Sequence, residues 1–119
     1  MCMAYPAGQK WGAVFITLGK PTDPPRLGRD LSGYQKLVLE LKGKAGNETI
    51  LIGLKDNMSP DDGTETKFRV SGLSKDWTTV EFPLSQFTRI NLRRLYVVTE
   101  LVFENLAETV CVRNIQYVR

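Results

Sequence analysis

Apolar residues recur along this chain mostly at every second position, which is the period of a strand that buries one of its two faces. The 3.6-residue period of an amphipathic helix is nearly absent. The pattern predicts seven short strands, separated by segments rich in Gly, Pro, Asn and Asp, and such a series is typical of an all-β antiparallel β-sandwich. The predicted strands are 11–18, 36–42, 49–56, 66–71, 77–82, 97–104 and 110–118. Segments 31–34 and 85–95 are predicted to hold helical turns, the second capped by Ser85.

The same alternation assigns side chains to the core or to the outer surface. The predicted core comprises Leu37, Leu39, Leu41, Ile50, Ile52, Leu54, Phe68, Val70, Leu101 and Phe103. Four charged residues point the other way on these strands, namely Glu40, Lys55, Arg69 and Glu104. If the strands are neighbours in one sheet, these four side chains form a single mixed-charge outer face.

Length and charge narrow the class of protein. A chain of 119 residues with 42% apolar residues fits one sandwich domain over 1–119. The net charge of +3 is spread along the chain without a basic stripe, so we expect no nucleic-acid partner. There is no secretion signal and no run long enough to span a bilayer, so no membrane partner is expected either. Because residues 1–6 lead almost at once into a strand, we expect this chain to be a segment of a longer, extracellular parent protein.

Catalysis is not expected. The chain has no histidine, which excludes Ser-His-Asp and Cys-His arrangements and most zinc sites. A glycosidase would need two carboxylates roughly 5–10 Å apart across a cleft. Glu40 and Glu104 are the candidate pair, but a sandwich of this length offers little depth around them. We predict neither enzyme activity nor a cofactor.

Two further features leave alternatives open. Asp56, Asp61 and Asp62 collect oxygen atoms of the kind that calcium prefers, yet their spacing is not that of an EF-hand and turns use the same residues. No metal site is predicted there. Cys2 and Cys111 are buried apolar residues or exposed thiols, or they are bridged, since the first and last strands of a sandwich often lie side by side.

Four motifs occur in an order that resembles a known family. They are Trp11-Gly12-Ala13-Val14, the DLSGY segment 30–34, the segment 77–87 with its Pro-Leu-x-x-Phe corner, and the VCVRNI segment 110–115. In this order they resemble the galactose-binding-like jelly-roll domains, which include many carbohydrate-binding modules. The resemblance implies a jelly-roll sandwich that binds a polysaccharide or oligosaccharide.

The chain departs from these relatives in two places. Arg113 and Asn114 stand where many relatives have an acidic pair, one member of which often binds calcium, so calcium is not expected there. Relatives also commonly have another strand before Trp11. If that strand is missing, an unpaired edge would favour a homodimer.

Candidate ligand contacts follow from side-chain chemistry. Trp11 would stack on a pyranose or, alternatively, close the core at a strand end, and Trp77 is expected to cover the core. The charged residues would bond sugar hydroxyls or form cross-strand ion pairs, and Tyr34 suits either role. The candidate ligand-binding residues are Trp11, Tyr34, Glu40, Lys55, Arg69 and Glu104. The leading hypothesis is a non-catalytic carbohydrate-binding module; the alternative is an interaction domain that packs against a sister domain or a second copy.

Overall fold

A computed structural model describes residues 1–6, 11–17, 28–58, 65–104 and 107–119. Almost all regular structure in these ranges is extended. The strands are Cys2–Tyr5 (β1), Trp11–Thr17 (β2), Lys36–Gly43 (β3), Glu48–Asp56 (β4), Lys67–Leu73 (β5), Thr78–Pro83 (β6), Leu95–Glu104 (β7) and Glu108–Val118 (β8). Two 3-10 helices, Leu84–Gln86 and Leu92–Arg94, lie between β6 and β7. No helix in the described ranges is long and apolar enough to cross a membrane.

The strands form two antiparallel sheets. The first sheet has the order β1-β8-β3-β6, and the second sheet has the order β2-β7-β4-β5. Chain neighbours such as β2 and β3 therefore belong to different sheets, which is the strand order of an eight-stranded jelly roll. The predicted all-β jelly-roll sandwich is confirmed.

The core lies between the two sheets and is built by the predicted alternation. Leu37, Leu39 and Leu41 of β3 are fully buried, and so are Ile50 and Ile52 of β4. The facing side chains of the two sheets thus exclude water from one continuous apolar layer. This layer fixes which side chains of each strand point outward, and the functional surfaces follow from it.

One strand was absent from the sequence prediction. β1 pairs with β8, and its Met3 and Tyr5 are buried while Cys2 is exposed. Four residues with two apolar positions give too little alternation to distinguish a strand from a loop. Cys2 is the register partner of Cys111, and a disulfide joins them. The strand that relatives have before Trp11 is therefore present, and the edge that its absence would have exposed is occupied.

The helical turn predicted within 85–95 is confirmed, because 3-10 helices occupy Leu84–Gln86 and Leu92–Arg94. Segment 31–34 forms a hydrogen-bonded turn, in which the Tyr34 amide donates to the Leu31 carbonyl at 3.2 Å. Only the predicted cap is wrong, because Ser85 lies inside the first 3-10 helix, where Pro83 occupies the capping position and makes no side-chain bond. Asn91 caps the second 3-10 helix instead, its side chain accepting from the Arg93 amide at 3.0 Å.

Candidate functional site

The outer face of the second sheet carries a ladder of cross-strand neighbours. One row runs Ala13, Val102, Leu51 and Arg69 across β2, β7, β4 and β5. The adjacent row runs Phe15, Glu100, Gly53 and Lys67 across the same strands. Apart from Glu100, small or apolar residues therefore occupy the two central strands of the face, while aromatic rings lie along β2 and cations along β5.

Trp11 lies at the β2 edge of this face and is 67% exposed. The interpretation that it closes the core is therefore wrong, and its ring is available to a ligand. Phe15, on the same side of β2, is 46% exposed. Four residues of strand separate the two aromatic residues by about 13 Å. The sequence analysis missed Phe15, although the strand period puts it on the same face as Trp11.

Gly12 explains how β2 holds Trp11 in this position. It pairs with the buried Phe103, and a Cβ at Gly12 would lie 2.6 Å from Cε1 of Tyr5. The Tyr5 ring in turn stacks on Phe103, with 5.3 Å between the ring centroids. Because glycine has no side chain here, β2 lies directly on the Tyr5 ring, and the alternation turns Trp11 outward.

Arg69 and Glu104 form an ion pair on the same face. Nη2 of Arg69 lies 2.6 Å from Oε1 of Glu104, and both side chains are about half exposed. Glu104 is also the cross-strand partner of Trp11. A shallow cavity of about 190 Å³ lies beside this pair, lined by Leu51 and Val102 among others. A donor and an acceptor therefore line one depression, and Trp11 is the cross-strand neighbour of the acceptor.

Lys55 and Glu100 also belong to this face, but both are buried, at 2% and 3% exposure. The prediction that Lys55 is an exposed ligand contact is therefore corrected. Its ammonium lies 5.3 Å from the centroid of the Phe15 ring. A Cβ at Gly53 would lie 2.6 Å from Oε2 of Glu100, so the glycine makes room for this carboxyl group.

The carboxyl group of Glu100 is electrostatically unusual. Burial raises its pKa from 4.5 to about 8, and a hydrogen bond with the Glu65 carboxyl group and repulsion from its charge act in the same direction. Lys67 and Lys55 oppose the shift. Glu100 is therefore largely protonated at neutral pH, and the exposed candidates on this face are Trp11, Phe15, Arg69 and Glu104.

Comparison with known families decides the class of the protein. Residues 3–119 match the model of the family described as Carbohydrate binding domain 30. The chain belongs to this family. It is a carbohydrate-binding module, which confirms the leading hypothesis of the sequence analysis at that level. No curated protein matches the sequence at a significant level.

Solved structures share the fold of the module. The family 30 carbohydrate-binding module of the cellulosomal cellulase Cel9D-Cel44B of Clostridium thermocellum has a TM-score of 0.71 at 20% identity, covering 96% of this chain and 70% of that one. A second family 30 module has a TM-score of 0.70 at 20% identity, with coverages of 96% and 64%. The family 11 module of C. thermocellum, in complex with a β-1,3-1,4-mixed-linked tetrasaccharide, has a TM-score of 0.63 at 14% identity, with coverages of 98% and 88%.

Glu40 is separated from the other candidate residues of the module. It lies on β3, with its side chain on the outer face of the first sheet, so the predicted single mixed-charge face does not exist. Arg113 donates two hydrogen bonds to its carboxylate, at 3.2 and 3.3 Å, and Asn114 donates a third. The Asn114 and Arg113 hydrogen bonds hold the pKa of Glu40 below its ordinary value. The two residues that replace the acidic pair of relatives thus both bind Glu40.

Trp77 does not cover the core of the module. Its ring lies on the outer side of the first sheet, 4.1 Å from the Arg113 guanidinium and 4.9 Å from the Lys42 ammonium. These contacts are cation–π interactions. They hold the half-buried ring in this position on the surface. The predicted role of Trp77 as a lid on the core is therefore wrong.

Tyr34 also lies apart from the second-sheet face. It precedes β3 and packs edge-to-face on Tyr117, with 6.2 Å between the ring centroids. The Arg119 guanidinium also lies over the Tyr34 ring, 5.1 Å from its centroid. These contacts and its partial burial make Tyr34 part of the packing around the first sheet.

The calcium alternative finds no support in Asp56. Its two carboxylate oxygens accept from the Met58 amide at 2.8 Å and the Asn91 amide at 2.9 Å, so they hold the backbone of two segments together. Asp61 and Asp62 lie outside the described residues. Among the residues that the structure does describe, no group of three potential ligands is arranged to hold a metal ion.

Proposed function

We propose that the module holds a glycan chain on the outer face of its second sheet. The observation that carries this proposal is the exposed Trp11, which is the cross-strand partner of Glu104, while Glu104 and its ion-pair partner Arg69 line a depression of the sheet surface. Three of the residues singled out from the sequence, Trp11, Arg69 and Glu104, thus lie on one face.

The chemistry of these side chains suits a sugar. The face of an indole packs against the apolar C–H side of a pyranose, and burial of that area from water provides most of the attraction. Arg69 offers guanidinium donors to ring or hydroxyl oxygens, while Glu104 accepts from hydroxyl groups. Phe15, about 13 Å farther along β2, would contact a later sugar residue of the same chain.

We also propose that the module binds without cleaving. Glu40 and Glu104, the carboxylate pair considered from the sequence, project from opposite outer faces of the sandwich and cannot flank one glycosidic bond. Glu100 is buried beside Glu65. Prolonged incubation with a soluble glycan should therefore release no new reducing ends.

The choice of first ligand follows from the similar structures. The family 11 module is described in complex with a mixed-linkage β-glucan tetrasaccharide, and a family 30 module is described as part of a cellulase. We infer that soluble β-glucans are the ligand class for this module. Xylan and galactosides are the comparison ligands, because their hydroxyl patterns differ while their rings remain capable of stacking.

The decisive experiment combines calorimetry with tryptophan fluorescence on three proteins. The chain has two tryptophans, so Trp77→Phe leaves Trp11 as the sole reporter. We expect this variant to bind β-glucan as tightly as the parent and to show a fluorescence change on titration. Trp11→Ala should weaken binding at least tenfold, since an aromatic side chain that the bound ligand covers commonly dominates the binding energy. Unchanged affinity in Trp11→Ala would overturn the proposed location of the site.

A further inference from the structure

A second, larger cavity opens at one end of the sandwich. It has a volume of about 450 Å³ and lies between the turn that joins β3 to β4 and the start of β8. Its lining includes Tyr5, Lys44, Asn47, Glu48 and Glu108. We call it the end cavity. Its volume falls within the range typical of small-molecule sites.

Two polar atoms of residues that line the end cavity have no hydrogen-bond partner. They are the hydroxyl of Tyr5, a residue that is 9% exposed, and Oε1 of Glu48, a residue that is 5% exposed. Buried polar atoms of folded proteins are nearly always paired, so two orphans beside one cavity require an explanation. A bound group with hydrogen-bonding capacity would provide their partners.

Glu48 determines what kind of group fits. Burial alone would favour its neutral form, but the hydrogen bonds from Ala45 and neighbouring backbone amides of the turn lower its pKa below the ordinary value. The ionised carboxylate accepts hydrogen bonds and cannot donate them. Oε1 therefore needs a donor on the ligand, whereas the Tyr5 hydroxyl can bind either a donor or an acceptor.

The charges around the end cavity narrow the ligand class. The carboxylates of Glu48 and Glu108 outnumber the ammonium of Lys44 among the described lining residues, so an anion is disfavoured. A calcium ion takes six to eight oxygen ligands, and no group of three acidic ligands is found among the described residues. An uncharged molecule with several hydroxyl groups satisfies the orphaned atoms best, and a sugar residue is such a molecule.

Glu108 connects the end cavity to the proposed glycan face. The same residue lines the end cavity and the smaller depression beside Arg69 and Glu104. Both oxygens of its carboxylate lie near the Thr49 amide, at 3.3 and 3.4 Å, where β4 begins. A chain that leaves the sheet face past Glu108 therefore reaches the end cavity directly.

We infer that the end cavity binds the terminal sugar residue of the glycan whose preceding residues lie on the second-sheet face. This inference rests on the proposed function and makes a further claim, namely that the module distinguishes chain ends and chain lengths. Short oligosaccharides contact the face alone, and longer ones gain the contacts of the end cavity.

The test measures affinity by calorimetry for β-glucan oligosaccharides of three to six sugar residues. Tyr5→Phe removes the orphaned hydroxyl and keeps the ring, and Ala107→Trp fills the cavity from an exposed lining position. Gln116→Trp on the first sheet is the matched control for a bulky surface substitution. We expect both cavity variants to bind the shortest ligand as the parent does and to lose about two- to tenfold in affinity for the longest.

The outcomes separate this inference from the proposed function. If Trp11→Ala abolishes binding while both cavity variants match the parent at every length, the face is the site and the end-cavity inference is overturned. If the cavity variants weaken binding while Trp11→Ala does not, the end cavity binds sugar without the face and the proposed function fails. Equal binding by all variants would overturn both.

Discussion

Trp11 and Glu104 are cross-strand partners at the edge of the second sheet, so an exposed indole and a half-exposed carboxylate stand side by side. Arg69 reaches the same carboxylate from β5. The ion pair therefore fixes the directions of a donor and an acceptor next to the aromatic ring. Such preorganisation reduces the conformational entropy that these two side chains lose when a ligand binds.

The Arg69–Glu104 pair should matter for binding and little for stability. Exposed ion pairs contribute about 0–1 kcal/mol, because water screens the charges. We expect Arg69→Met and Glu104→Gln each to change the free energy of unfolding by less than about 1 kcal/mol. Each should weaken β-glucan binding about tenfold through the loss of charged hydrogen bonds. Urea unfolding and calorimetry measure the two effects.

A matched pair on the first sheet provides the control. Lys36 and Glu81 lie 3.5 Å apart and are exposed to a similar degree. Lys36→Met should leave both stability and glycan affinity near the parent values. Equal losses of affinity from Lys36→Met and Arg69→Met would show that the effect reflects net charge and not a site.

The fold was predictable because its dominant signal is local. Alternation in β3 and β4 correctly identified Leu37, Leu39, Ile50 and Ile52 as core, since every second residue of a paired strand must face the other sheet. β1 was not predicted because its position depends on pairing with β8 over a hundred residues away. That pairing, including the bridge from Cys2 to Cys111, is tertiary information.

The site was only partly predictable for a related reason. Alternation shows that Glu40 and Glu104 both point away from the core, but it does not show which sheet contains each strand. In this jelly roll Glu40 lies on β3 of the first sheet and Glu104 on β7 of the second, so these two outward side chains lie on opposite surfaces. The prediction that Lys55 is exposed was wrong for a different reason. An outward residue in a central strand can still be covered by its neighbours.

Glu100 should make stability depend on pH. Its pKa is raised from 4.5 to about 8 by folding, so the folded state binds more protons than the unfolded state between these values. The contribution of Glu100 is therefore fully present below about pH 4.5 and is lost as the pH rises through about 8. We expect thermal stability to decline over this window and Glu100→Gln to flatten the decline.

The exposed carboxylate of Glu81 on the first sheet serves as the control, and Glu81→Gln should keep the pH profile of the parent. A parent protein whose stability is constant from pH 5 to 9 would contradict the raised pKa.

The disulfide should stabilise the module by restricting its unfolded chain. Cys2 and Cys111 are separated by 109 positions, and closing a loop of this size contributes roughly 2–5 kcal/mol. We expect a Cys2→Ala/Cys111→Ala double variant to lose this amount of free energy of unfolding and so to unfold at a lower urea concentration. A reductant should destabilise the parent and leave the double variant unchanged. If reductant has no effect on the parent, the bridge is not formed in the folded protein.

Gly12 tests the contact that positions Trp11. In Gly12→Ala the new methyl group would lie 2.6 Å from a ring carbon of Tyr5, so the ring or β2 must move. We expect a loss of about 1–3 kcal/mol in the free energy of unfolding, together with weaker glycan binding because Trp11 is displaced. Gly33→Ala is the control, since no atom lies within 4 Å of its added methyl group, and it should gain a few tenths of a kcal/mol or remain neutral.

A double variant distinguishes the steric contact from an intrinsic preference for glycine in β2. If the Tyr5 ring is the obstacle, Gly12→Ala should cost less in a Tyr5→Ala background than in the parent, because the methyl group then enters space that the ring has left. Additive losses would mean that Gly12 is required by the backbone and not by Tyr5. In that case Trp11 would owe its position to the pairing of β2 with β7 alone.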